Sequence, residues 1–138
     1  LVSQKVLLTW LIESEEIFHQ IEKYITPEDF SEGLFRKVAE LLYEQYEKHE
    51  ANPAQIMNHF TDEEEHRQVA GLFHTKIKEL TTVKEQEKAL QETILRVKDH
   101  SIEEATKNLD PTDIQGLQRL MNEKRKMQDL RTLHISIN

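Results

Sequence analysis

The sequence predicts an all-α protein, a helix bundle followed by a C-terminal helical hairpin, and three observations carry that prediction. Only three glycines and three prolines occur in 138 residues, too few turn formers for a sheet of short strands. Apolar residues recur at three- and four-residue spacing over most of the chain. Each proline follows a helix-capping residue, in Thr26-Pro27, Asn52-Pro53 and Asp110-Pro111, the arrangement that opens helices. The length suits one domain with a small appended subdomain. We place the bundle at residues 1–100 and the hairpin at 101–138.

The first helix should run from Gln4 to Glu13, with Val6, Leu7, Trp10 and Leu11 on one face and Leu8 and Ile12 widening it, so it is expected to be buried nearly all round. Ser14 can cap a second helix to about Tyr24, whose first turn carries Glu15 and Glu16 at the favourable end of the dipole. Thr26 to Phe30 reads as one short turn anchored by its phenylalanine. Ser31 is expected to cap a third helix to Lys48, striped by Leu34, Phe35, Val38, Leu41, Leu42 and Tyr46. Asn52-Pro53 opens a short helix to Phe60, and Thr61 with Glu64 forms a capping box for a helix to His74. A further helical stretch is expected through Ile77 and Leu80.

Thr82 and Glu85 form another capping box, and a long run follows. As one helix, Val83 to Asn108 would span roughly 39 Å at about 1.5 Å per residue, longer than a small domain is wide. Its apolar positions thin out after Val97, so its far end should project. Ser101 and Glu104 repeat the capping-box pattern in mid-run. Either one continuous helix or two helices jointed near His100 satisfies the pattern. Asp110-Pro111 then starts a last helix to about Leu133, carrying Ile114, Leu117, Leu120, Met121, Met127 and Leu130. That is more apolar surface than the preceding run can cover, and an uncovered apolar stripe marks a binding surface. The plain alternatives are that it packs back on the bundle or pairs with a second copy.

Charge sharpens the same region. The chain carries a net charge of −8, which disfavours strong direct nucleic-acid binding, because phosphate affinity comes largely from Lys and Arg displacing counterions. Residues 1–111 hold 13 Lys and Arg against 23 Asp and Glu, whereas residues 112–138 hold 5 against 3. The last helix is therefore basic on an acidic body, which can mark a distinct contact surface. A solvated helix with cations near the negative end of its dipole would look the same. Absence of cysteine excludes disulfides and thiolate metal sites and fits a reducing, cytoplasmic compartment. No apolar run reaches the length of a membrane span. The chain opens on Leu1 rather than methionine, and we expect it to be a piece of a longer protein.

No catalytic constellation emerges. The seven histidines include no H-E-x-x-H motif and no pair four residues apart. Glu63-x-x-His66 occurs once, at a helix start where the helix dipole already accounts for the acids. There is no phosphate-cradling glycine loop and no nucleophile elbow. We expect no catalytic residue, no metal and no cofactor in this chain.

The apolar spacings resemble a known family. Leu7-Leu8-Thr9-Trp10-Leu11-Ile12, the Ile21 to Ile25 segment, the T-P-E-D-F block at Thr26 to Phe30 and the run Leu34-Phe35-Arg36-Lys37-Val38 are similar to the C-terminal, helicase-binding domain of bacterial replicative primase of the DnaG type. The tail L-Q-R-L-M-N-E-K-R-K-M-Q-D-L after Asp110-Pro111 resembles it too, so the likeness covers essentially the whole chain. A related pattern occurs in the N-terminal collar domain of the DnaB-type hexameric helicase, which is the alternative. The resemblance implies a protein-interaction domain and not an enzyme in itself, cut from a primase whose zinc-binding and polymerising domains lie upstream. It implies recruitment of that primase to the N-terminal domain of the replicative helicase at the bacterial replication fork. It further implies modulation of the helicase during primer synthesis, a monomeric fragment and no membrane partner. Mapped residue by residue, the docking positions would be Ile114, Leu117, Gln118, Met121, Lys124, Arg125 and Gln128.

Overall fold

A computed structural model of the chain describes residues 2–74 and 82–137. It is all-helical, as the sequence predicts: α1 Val2–Glu13, α2 Glu15–Ile21, α3 Leu34–Glu47, α4 Glu63–His74, α5 Val83–Lys107 and α6 Ile114–Thr132, with short 3₁₀ turns at Pro27–Asp29 and Pro53–His59. The stretch through Ile77 and Leu80 lies outside the described residues.

Helix α1 is the axis of the bundle, because it is apolar on almost every side. Leu7, Leu8 and Leu11 are fully buried, and α1 packs against α2, α3, α4 and α5. Phe18 of α2 meets Tyr43 edge-on at 4.8 Å, a quadrupole-favoured arrangement, and Tyr46 at a tilt at 5.0 Å. Both phenols enter the core with their hydroxyls satisfied: Tyr43 donates to the Ile25 carbonyl at 2.8 Å and Tyr46 to the Leu11 carbonyl at 2.6 Å. Burial pushes the Tyr46 phenol up to about 12 and the Tyr43 phenol well above its ordinary value.

Several boundaries differ from the sequence reading, each for a local reason. Ser31 does not cap α3. Its hydroxyl and amide are both taken by the buried Gln4 side chain at 2.9 Å, and α3 begins after Gly33, whose φ of 114° is open to glycine and strained for other residues. The cap of α4 is Asp62, which accepts the Glu65 amide at 3.1 Å, rather than Thr61. Helix α2 stops at Ile21, and the chain turns through the amides of Tyr24 and Ile25, which both donate to the Ile21 carbonyl. Thr82 does cap α5, accepting from the Glu85 amide at 3.2 Å.

The long run is one helix. α5 continues through His100 to Lys107 without interruption, so position 100 falls inside it. Ser101 does not cap a second helix, because its hydroxyl donates to Asp29 at 2.7 Å. Leu90, Ile94 and Val97 bury the first part of α5, while residues 103–108 are exposed. The helix therefore leaves the bundle at about its last two turns.

A candidate protein-docking face on α6

Helix α6 folds back along α5 after the Asp110 to Asp113 turn. Asp110 accepts from both the amide and the hydroxyl of Thr112, and the backbone bond, with the hydroxyl's, holds its carboxyl below the usual range. Asp113, rather than Asp110, caps α6 by accepting the Gly116 amide at 2.9 Å. Gly116 sits where the connecting turn presses on the start of α6: a Cβ there would stand 2.7 Å from the Leu109 side chain and 2.5 Å from the Asp113 carboxylate. Glycine thus admits the hairpin turn despite its cost in a helix.

The inner side of α6 buries Gly116, Leu120, Met127 and Leu130. Three of the residues expected to form an uncovered stripe, Leu120, Met127 and Leu130, are therefore covered: α6 packs along α5, and Leu130 joins the main core. The seven expected docking positions lie elsewhere. Ile114, Leu117 and Met121 are 69%, 39% and 65% exposed, and Gln118, Lys124, Arg125 and Gln128 are exposed as well. At about 100° per residue all seven fall within roughly a third of the helix circumference, opposite the buried side. One face thus presents an apolar end, Ile114 to Met121, that grades into a basic middle at Lys124 and Arg125.

Charge pairing distinguishes these cations from their neighbours. Arg119 sits 3.7 Å from Asp113, and Lys126 sits 3.4 Å from Glu123. Lys124 and Arg125 make no ion pair among the described residues. Apolar anchors beside unpaired cations suit a partner with an apolar depression rimmed by acids, where burial supplies affinity and charge steers approach.

The arrangement that aims this face was missed in the sequence reading. Lys98 of α5 is fully buried and its ammonium donates to the Tyr24 carbonyl at 2.8 Å, to Asp29 at 3.1 Å and to Glu123 of α6 at 2.9 Å. Asp29 also accepts the Thr26 amide at 2.8 Å. The bundle turn, α5 and α6 thus meet on one ammonium. The signal was present in register: Lys98 stands one turn beyond Ile94 on the apolar side of α5, where a solvated lysine does not belong.

A cleft of about 610 Å³ lies beside this cluster, between the Pro27–Asp29 turn and the end of α5, walled by Glu28, Arg36, His100 and Glu104. Its principal cation is engaged, since Arg36 donates to the Phe30 and Glu28 carbonyls. Among the described residues no group of three or more His, Asp or Glu is placed to hold a metal ion, and no helix is long and apolar enough to cross a membrane. Comparison of the chain with protein-family models, curated proteins and solved structures found no match.

Proposed function

We propose that this chain is the helicase-interaction domain of a bacterial DNA primase, docking on the N-terminal domain of the hexameric replicative helicase through the outer face of α6. The observation that carries the reading is that face itself: Ile114, Leu117 and Met121 stand exposed beside unpaired Lys124 and Arg125, on a helix whose other side is fully engaged. The family resemblance supplies the partner. On this reading the domain performs no chemistry and needs no cofactor. It brings a polymerising domain elsewhere in the parent protein to the cytoplasmic replication fork.

Titration of the chain against the helicase N-terminal domain tests the proposal, and absence of binding at tens of micromolar, where modest interfaces already register, sinks it. Leu117→Ala should raise the off-rate if Leu117 is an anchor. Reversing the charges of Lys124 and Arg125 should slow association and flatten or invert the fall of affinity with salt. Sedimentation separates the collar alternative, which requires a dimer or ring of this chain alone, from the monomer expected here.

A further inference from the structure

The chain leaves α6 at Leu133 in extended form and returns to the bundle. Leu133, Ile135 and Ile137 turn inward, with Ile135 only 2% exposed, while His134 between them is turned out. The returning segment is gripped by side chains reading its backbone. Gln20 of α2 donates its amide to the Ser136 carbonyl at 2.7 Å and accepts the Ser136 amide at 2.8 Å. Glu87 of α5 accepts the Ile137 amide at 3.0 Å. Gln91 donates to the carbonyls of Leu130, Arg131 and Leu133 at 3.2 Å each, satisfying the open end of α6 just where the segment begins.

We propose that residues 133–137 are a releasable strap that fixes the direction of α6, with Gln20 as its latch. The geometry separates two holds on α6. Lys98 with Glu123, and the buried Leu120 and Met127, hold its body against α5, while Leu130, Gln91 and the strap hold its C-terminal end. Two points fix a direction where one does not. The strap has one deeply buried side chain, with Leu133 and Ile137 packed less deeply beside it and side-chain to backbone bonds at half-buried positions, so it opens at lower cost than the core of the bundle. Opening frees α6 to change its angle without unfolding α1 to α4. The conclusion about direction stands without a partner; only its effect on docking rests on the function proposed above.

The chain has no cysteine, so Glu40→Cys on α3 and Asp129→Cys on α6 can carry a pair of spin labels at defined sites. In that background Gln20→Ala should speed amide exchange at Ser136 and Ile137 about tenfold and broaden the label-to-label distance distribution, with exchange in α1 unchanged. Ile135→Asp should broaden it further, and its melting curve reports whether the bundle is intact. Protected Ser136 and Ile137 amides in both variants would overturn the strap, and an unchanged distribution in a folded Ile135→Asp protein would overturn its control of α6. Binding to the helicase N-terminal domain is a separate arm: Gln20→Ala should weaken it severalfold by loosening a preorganised face. Failure of the unaltered chain to bind would count against the proposed function and leave the distance result standing.

Discussion

The bundle and the α5–α6 hairpin are built with different chemistry. The bundle is held mainly by shape, with Leu7, Leu11, Phe18 and Ile21 packed together and the few buried polar groups there, Gln4, Thr9 and the tyrosine hydroxyls, each given a partner. The hairpin joins that core through Leu90, Ile94, Val97 and Leu130 and adds directed polar contacts: Lys98 to Glu123, Gln91 to the end of α6, Gln20 to Ser136. Apolar packing is strong and tolerant of angle, whereas hydrogen bonds and ion pairs are modest and specific in direction. The difference teaches that the bundle supplies stability and the polar attachments supply aim.

Substitutions on either side of that divide should behave differently. The largest effect is expected for Leu11→Ala, which opens a cavity on the axis of the bundle and should cost about 3 to 4 kcal/mol, melting bundle and hairpin together in a denaturant titration. Lys98→Met leaves Asp29 buried with the Ser101 hydroxyl and the Thr26 amide but no cation, and should cost about 3 kcal/mol. Here the comparison predicts more than a number: the amides of α6 should lose protection before those of α1, and simultaneous loss would erase the distinction. A methionine that proved stabilising would show that the ion cluster serves aim alone.

Alkaline titration isolates the bundle. A phenol held above its ordinary value of about 10 is protonated in the folded chain while the unfolded chain has begun to ionise. Its contribution is therefore complete below about pH 10 and is lost as pH rises through about 12, where Tyr46 titrates. The loss should amount to roughly 2 to 3 kcal/mol for Tyr46, and Tyr46→Phe should flatten that part of the stability profile. The smallest effect on stability is expected at Met121→Ser on the outer face of α6, within about 0.5 kcal/mol. The same substitution should nonetheless speed dissociation from the proposed partner, and a stability loss above 1 kcal/mol would mean that this face is covered within the chain.

What could be read from the sequence follows the same divide. Helical periodicity located most of the apolar buried positions of α1, α3 and α5, though not Ala39 and Tyr43, because apolar burial repeats with the helix and each residue reports its own side. On α6 the pattern did not separate the two sides: Leu120, Met127 and Leu130 were expected to stand uncovered with Ile114, Leu117 and Met121, and only the last three do. Caps were less legible: Ser31, Thr61 and Ser101 all matched local patterns, and tertiary partners claimed two of them, Gln4 taking Ser31 and Asp29 taking Ser101. The Lys98 cluster joins residues 69 and 25 positions apart, a distance no local pattern spans. The strap left one trace that was passed over, the alternation Leu133-His134-Ile135-Ser136-Ile137, which has the period of an extended segment and not of a helix.

The Gln20–Ser136 pair has a consequence for how the molecule comes to be. It joins residues 116 positions apart, so it closes one of the longest loops the chain contains, and such closures wait until shorter ones have shortened the effective loop. During synthesis α1 to α4 are complete long before Ser136 exists. The Gln20–Ser136 pair can therefore close only after all of α1 to α6 has been synthesised, and it fastens α6 to helices made well before it.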